Sequence, residues 1–266
     1  MAEADGYLLD NAATAAGERH RALAALYDEW TVAHLLRLGL APGWRCWEVG
    51  AGGPELVRRL GRVVGDGGAV VATDVDPSWV EDAASGVVEV RRHDVGTEPP
   101  PGHDFDLVHA RLVLVHGPRR HDALVSMASS LRPGGWLVVE DADPGLQPLA
   151  CIDPTTEEDA LANRLRAAFR TLMAGRGVDL AYGRTLARRL RDIGLEDVGA
   201  EALTVVAQPA CAVLERTTMA VVRAALVDAG LATDAEIDRH LDAVDGSLVQ
   251  LSQPPLVTAW GRAALR

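Results

Sequence analysis

The chain has 266 residues, of which 48% are apolar, and a formal net charge of −12. This length and apolar content allow one large α/β domain with a full core. The acidic balance argues against a nucleic-acid partner, because binding to a phosphate backbone needs a basic surface. All basic side chains are arginine or histidine, so chemistry that depends on a Schiff-base or P-loop lysine is excluded.

The first predicted element is an N-terminal helical cap over residues 1–42. Apolar side chains recur at three- and four-residue steps from Ala22 to Leu40, and Ala41-Pro42-Gly43 ends the pattern. The remainder, 43–266, is predicted as the main domain. In its first part, strands are expected at 45–49, 69–73, 87–91, 105–109 and 136–140, with helices from 55, at 78–85 and at 119–131. This alternation predicts a doubly wound, mostly parallel sheet.

Beyond Pro144 the pattern becomes mainly helical, with insertions predicted at about 150–180 and 209–252. Helices are expected at 156–175, 182–193, 211–229 and 234–250, and two further strands at 198–206 and 256–260. The arginine-rich amphipathic helix at 156–175 is interpreted as a lid. The whole pattern predicts a seven-stranded α/β sheet with helical lid insertions.

Compartment is predicted from cysteine usage and from the N-terminus. Cys46, Cys151 and Cys211 are far apart and form no C-x-x-C pair, so neither a disulfide framework nor a thiolate metal site is indicated. The chain begins with acidic and polar residues, and no apolar run approaches ~18 residues. We therefore expect a soluble cytoplasmic protein without membrane insertion.

A glycine-rich turn follows the first predicted strand in the run Arg45-Cys46-Trp47-Glu48-Val49-Gly50-Ala51-Gly52-Gly53-Pro54-Glu55. Glycines at a strand-to-helix turn let the backbone approach a ligand where a Cβ would collide. Asp74 lies 24 residues beyond Gly50, close to the position expected of a ribose-binding acid. The pattern predicts a nucleotide site.

The residue at position 55 indicates which nucleotide. A dinucleotide fingerprint, G-x-G-x-x-G, would need glycine where Glu55 stands. A carboxylate in the first helical turn would repel a diphosphate. S-adenosylmethionine (SAM) has an adenosine and no phosphate, and its sulfonium and ammonium groups are attracted by acids such as Glu48, Glu55 and Asp74. The sequence therefore favours SAM.

Five motifs occur in the order and spacing typical of class I SAM-dependent methyltransferases. They are Glu48-Val49-Gly50-Ala51-Gly52, Ala72-Thr73-Asp74, His93-Asp94-Val95, Phe105-Asp106-Leu107-Val108 and Leu131-Arg132-Pro133-Gly134-Gly135-Trp136. The block covers residues 43–142 and resembles the ubiquinone/menaquinone-biosynthesis type and its small-molecule relatives. The resemblance implies a Rossmann-like fold and methyl transfer from SAM to a small-molecule acceptor, with S-adenosylhomocysteine (SAH) as the product.

The resemblance also implies roles for residues at the carboxyl ends of the predicted strands, where ligands of open α/β sheets bind. Gly50, Ala51 and Gly52 would contact the methionine part of SAM, with Glu48 supporting their loop. Asp74 would bind the ribose, Val75 an adenine face, and Asp94 and Val95 the adenine edge. Ala110 and Arg111 would face the sulfonium. Structural alternatives are a helix cap for Asp74 and an ordinary loop acid for Asp94.

Catalysis of an in-line methyl transfer depends largely on positioning, and a base is needed only if the acceptor must lose a proton. His116, His109 and Asp141 are the candidate bases, although each could equally have a packing or hydrogen-bonding role. Adjacent Glu140 and Asp141 would point to opposite faces of a strand, which disfavours a shared magnesium site. We predict no metal.

Two other functions stay open at this point. One is a nicotinamide-dependent reductase, against which Glu55 counts. The other is a non-catalytic or repurposed SAM-binding fold. The segment Tyr27-Asp28-Glu29-Trp30-Thr31 resembles helical caps that fold over the cofactor in the same family, or it simply packs on the sheet. The predicted partner is a small-molecule acceptor, and a homodimer is compatible with these features.

Overall fold

A computed structural model describes residues 16–116 and 119–265 of the chain, without the side chain of His116. The described residues separate into two compact units. A sheet unit comprises Tyr27–Ala142, Tyr182–Leu203 and the residues from Leu256 onward. A helical unit comprises the residues up to Leu26 together with Asp143–Ala181 and Thr204–Pro255.

The sheet unit contains one seven-stranded sheet in the order β3-β2-β1-β4-β5-β7-β6. Its strands are β1 (Arg45–Val49), β2 (Ala69–Asp74), β3 (Val88–Arg92), β4 (Phe105–Arg111), β5 (Leu131–Ala142), β6 (Glu196–Leu203) and β7 (Leu256–Arg262). The first five strands pair in parallel, whereas β7 runs antiparallel to both β5 and β6. The predicted mostly parallel, seven-stranded sheet is confirmed.

Helices of the sheet unit bury one apolar face each. They are the second part of α1 (Ala16–Arg37), α2 (Pro54–Val64), α3 (Arg120–Ser129) and α5 (Tyr182–Asp192). In α2, Leu56, Val57, Leu60 and Val64 recur at helical spacing and join the core with residues of β2 and β3. Pro54 occupies the start of α2, where its missing N–H would have no helical partner.

The helical unit is built on α4 (Glu157–Gly175), α6 (Pro209–Asp228) and α7 (Asp234–Asp245). Leu161 and Leu165 of α4, Val222 and Leu226 of α6 and Ile237 of α7 form its apolar core. Capping boxes at Thr156 with Asp159 and at Thr233 with Glu236 begin α4 and α7, since each threonine hydroxyl and acidic partner satisfy otherwise unpaired amides.

Several predicted elements were wrong in type or in length. The helix expected at 78–85 is replaced by two 3₁₀ turns, Pro77–Trp79 and Glu81–Ala83, because the Ser85 hydroxyl accepts the amides of Val87 and Val88 and turns the chain into β3. Helix α1 ends at Arg37 rather than 42, because Gly39 adopts a φ of +103°.

The last helix ends at Asp245 rather than 250, since Gly246 caps it. Strand β5 begins five residues before the expected position 136, and a register irregularity between Phe105 and Leu107 absorbs the extra residues. The part of the predicted N-terminal helix before residue 16 lies outside the described residues. Within the described ranges, no helix has both the length and the apolar character needed to cross a membrane.

Candidate functional site

The glycine turn joins β1 to α2 in a conformation that side chains disfavour. Gly50 and Gly52 have φ values of +62° and +60°. A Cβ on Gly50 would lie 2.3 Å from Cγ2 of Val113. The amide of Ala51 donates to the carbonyl of Thr73 at 3.0 Å, which ties the turn to the end of β2. The turn therefore requires glycine at position 50 for two independent reasons.

Asp74 ends β2 and binds this turn directly. Its Oδ2 accepts a hydrogen bond from the Gly52 amide at 2.9 Å, and its Oδ1 accepts one from the Asp76 amide at 3.0 Å. Burial raises the pKa of Asp74, while these two amides oppose that rise. The structure thus brings the predicted residues Gly52 and Asp74 together. The neighbouring Val75 is 57% exposed, which leaves an apolar surface beside the carboxylate.

Asp94 and Val95 follow β3, whose last residue pairs with Asp74. The Asp94 side chain accepts from the Gly96 amide at 2.9 Å and from the Thr97 hydroxyl at 2.8 Å, so it organises its own turn. The amide of His93 donates to the Asp74 carbonyl at 2.9 Å. The carboxyl ends of β2 and β3 are therefore fixed to each other next to the glycine turn.

A buried histidine lies between two buried carboxylates on the central strands. His109 of β4 is fully buried, and its Nδ1 lies 2.7 Å from Oε2 of Glu48 on β1. Its Nε2 lies 3.3 Å from Oε2 of Glu140 on β5. When both carboxyl groups are ionised they only accept hydrogen bonds, so both ring nitrogens then donate and the ring carries a positive charge. Glu48 thus contacts His109.

The titration of this cluster follows from its charges. Burial alone would lower the pKa of His109, but Glu48 and Glu140 outweigh burial and raise it to about 9. Burial would raise the pKa of Glu140, yet His109, Arg111 and Thr31 lower it to about 2. Near neutral pH the ring of His109 is therefore protonated and the carboxyl group of Glu140 is ionised.

The cluster continues into the second part of α1. The Thr31 hydroxyl donates to Oε2 of Glu140 in a short hydrogen bond and accepts from Nη1 of Arg111 at 3.0 Å. Nη2 of Arg111 donates to Asp28 at 2.8 Å. Ala110, the neighbour of Arg111 on β4, is buried. The segment 27–31 was recognised in the sequence by its resemblance to helical caps, but that resemblance did not predict its contacts with β4 and β5.

Glu140 also accepts a hydrogen bond from a side chain of β7. The Thr258 hydroxyl donates to Oε1 of Glu140 at 2.7 Å and accepts from Nε1 of Trp30 at 2.8 Å. Residues so far apart in sequence give no local pattern, which is why the roles of Thr31 and Thr258 were missed. The only sequence signal was the buried acid at position 140 in an apolar strand.

The other two candidate bases differ in environment. Asp141 is fully buried on β5, its Oδ2 accepts from the Val115 amide at 3.3 Å, and its Oδ1 has no hydrogen-bond partner within the described residues. Burial raises its pKa well above the usual range. His116 ends a 3₁₀ turn, Leu114–His116, and its side chain lies outside the described part of the structure. In the described ranges, no group of three His, Cys, Asp or Glu residues could hold a metal ion.

The comparisons with known proteins agree with this geometry. A sequence family described as a methyltransferase domain matches residues 18–200, more than half of the chain. The chain belongs to this methyltransferase family. The ubiquinone/menaquinone biosynthesis C-methyltransferase UbiE of Ectopseudomonas mendocina is 32% identical over 126 residues, 44% of this chain and 49% of the relative. The chain thus matches only about half the length of this curated relative.

Solved structures share the fold of this methyltransferase domain. Phosphoethanolamine N-methyltransferase 2 of Haemonchus contortus, in complex with phosphomonomethylethanolamine and SAH, aligns with a TM-score of 0.60 at 14% identity, covering all of this chain and 61% of that one. The [4+2]-cyclase SpnF aligns with a TM-score of 0.53 at 17% identity, covering 90% of this chain and 81% of that one. At these identities the likeness shows the fold alone.

Proposed function

We propose that the chain is a SAM-dependent methyltransferase that acts on a small-molecule acceptor. The observation that carries the proposal is the contact between Asp74 and the Gly52 amide, which joins a buried acid to a glycine turn closed to any side chain at position 50. Glu55 lies in the first turn of α2, where a phosphate would otherwise bind. These features suit an adenosine with a cationic sulfur.

The residues fit the parts of this cofactor. Asp74 would accept hydrogen bonds from the ribose hydroxyls, and the exposed Val75 would cover an adenine face. Asp94 and Val95, after β3, would meet the adenine edge. The backbone of Gly50, Ala51 and Gly52 would hold the methionine part, and Ala110 and Arg111 at the end of β4 would face the sulfonium. The glycine conformations and the shared strand ends support this assignment.

When bound, SAM supplies an electrophilic methyl group with a good leaving group already attached. This chain's residues then need to hold cofactor and acceptor in line and keep water out. Both ring nitrogens of His109 are engaged by carboxylates, and Asp141 is fully buried. The contacts of His109 and the burial of Asp141 favour a role in positioning neighbouring groups over proton abstraction from the acceptor. His116 stays a predicted base, which His116→Ala would test through the pH profile of kcat.

The acceptor class is proposed from the relatives. The curated relative named for ubiquinone and menaquinone biosynthesis is a C-methyltransferase, so a quinone-like or secondary-metabolite ring is the first acceptor to test. A cytoplasmic location is supported by three buried free cysteines. A homodimer stays a prediction that light scattering of the purified chain would measure.

The test separates binding from turnover. Thermal unfolding is measured with SAM, SAH, NADH and NADPH, and a methyltransferase predicts stabilisation by SAM and SAH alone. Stabilisation by NADH alone would favour a reductase. Labelled methyl transfer to quinone precursors and metabolite extracts then measures turnover. Binding of SAM without transfer to any acceptor, in an assay where a known methyltransferase succeeds, would favour a repurposed fold.

A further inference from the structure

The cluster around His109 forms a chain of alternating charges. From β1 outward it runs Glu48, His109, Glu140, then through the Thr31 hydroxyl to Arg111 and Asp28. Every charged group in this chain faces one of opposite sign directly or through the hydroxyl. The pattern links the strand that carries the glycine turn to helix α1, across β4 and β5.

We propose that His109 is a positioning residue for methyl transfer, which fixes Glu140 so that Thr31 and Arg111 hold α1 at the ends of β4 and β5. The proposal rests on the proposed function, because it concerns residues at the strand ends where SAM would bind. His109 itself, fully buried and engaged at both nitrogens, acts through its neighbours.

Glu140 is the junction of this arrangement. Its Oε2 receives hydrogen bonds from His109 and Thr31, and its Oε1 receives one from Thr258. A carboxylate with three donors has one preferred orientation, and that orientation fixes where the Thr31 hydroxyl must lie. If His109 were neutral or absent, the fully buried Glu140 would lose the one charged group among its three hydrogen-bond donors.

Thr31 is the link between the buried cluster and the rim of the site. Its hydroxyl bridges the carboxylate of Glu140 and the guanidinium of Arg111. Arg111 in turn donates to Asp28, one turn earlier on α1. Residues 28 and 31 lie on one face of the helix, so both contacts hold the same face against the strand ends.

A matched pair of variants isolates this link. Thr31→Val keeps the shape of the buried side chain and removes the hydroxyl, whereas Thr31→Ser keeps the hydroxyl. His109→Gln removes the central charge. His240→Gln is the control for a buried histidine outside this chain of charges, because its Nε2 faces Glu215 within the helical unit.

The measurements are the SAH dissociation constant and amide hydrogen exchange of residues 27–37, both under conditions where each variant is folded. His109→Gln and Thr31→Val are expected to weaken SAH binding about tenfold or more and to speed exchange in that segment, as loss of a charged hydrogen bond implies. The SAH dissociation constants of Thr31→Ser and His240→Gln should stay within about twofold of the wild-type value, a smaller change than the loss of one ordinary hydrogen bond would cause.

Wild-type affinity and exchange in a folded His109→Gln would overturn the proposal, as would equal behaviour of Thr31→Val and Thr31→Ser. If His109→Gln does not fold, the Thr31 pair decides. Failure of the wild-type chain to bind SAH would instead overturn the proposed function. In that case faster exchange in Thr31→Val than in Thr31→Ser would still support the positioning link, and equal exchange would overturn it.

Discussion

The carboxylate of Asp74 accepts the amide hydrogen of Gly52 at a distance of 2.9 Å. This contact joins the end of β2 to the turn after β1, so the acid proposed to bind ribose also fixes the turn proposed to hold the methionine part. Because a carboxylate has further acceptor positions, Asp74 can keep this bond and still receive two hydroxyls.

Replacing Asp74 should weaken cofactor binding. Asp74→Ala removes a buried charged acceptor and is expected to cost about 1–3 kcal/mol of SAM binding free energy. Isothermal titration calorimetry measures the change. Asp76→Ala is the control, because the Asp76 side chain caps the Ser78 amide of a 3₁₀ turn. Equal affinities of the two variants would place the ribose elsewhere.

A side chain at position 50 should damage the turn. Gly50→Ala places a Cβ 2.3 Å from Val113 at a φ of +62°, so we expect a loss of about 1–3 kcal/mol in the free energy of unfolding. Urea denaturation measures it. Gly86→Ala is the control, because a Cβ there has no atom within 4 Å. A Gly50→Ala variant as stable as Gly86→Ala would contradict the geometry of the turn.

The charge on His109 should make stability depend on pH. The folded pKa is about 9 against an unfolded value of 6.5, so the contribution is fully present below pH 6.5 and is lost as pH rises towards 9. For Glu140, whose folded pKa is about 2 against 4.5, stability is present above pH 4.5 and lost below it. Urea titrations from pH 6 to 9 should show a falling free energy of unfolding.

His109→Gln is the comparison for this pH dependence. The variant should be less stable by roughly 3–5 kcal/mol at pH 6.5, because two buried carboxylates lose their charge partner. Its free energy of unfolding should also change less between pH 6.5 and 9 than that of the wild-type chain. An identical slope in both proteins would assign the titration to another group.

A second buried ion pair lies within the helical unit. Nη2 of Arg166 donates to Glu215 at 3.1 Å, and Nε2 of His240 lies 3.0 Å from the other oxygen of Glu215. Arg166→Met should cost about 3–5 kcal/mol, because it leaves a buried carboxylate without its arginine. Arg164→Met is the exposed control and should change stability by about 0–1 kcal/mol. Comparable losses in the two variants would contradict this assignment.

The sheet and the glycine turn could be predicted because their signals are local. Short apolar runs that alternate with helical segments predict the strands, and the spacing from Gly50 to Asp74 predicts an acid at the end of β2. The helix expected at 78–85 was wrong because Ser85 diverts the chain, a competition that apolar spacing cannot reveal.

The cluster around His109 could not be predicted from spacing. Glu48, His109 and Glu140 all lie on predicted strands, but their mutual contacts depend on the strand order β1-β4-β5 and on which face each side chain occupies. The link to Thr31 joins residues 109 positions apart. Only the folded sheet brings α1 to Glu140, so the sequence suggested a base where the structure supports positioning.

The most direct test of the central proposal is calorimetric titration of SAM into the wild-type chain at neutral pH. We predict saturable binding at one site per chain, weakened in Asp74→Ala and retained in Asp76→Ala. A folded wild-type chain that gives no binding of SAM or SAH at millimolar concentrations would contradict the account.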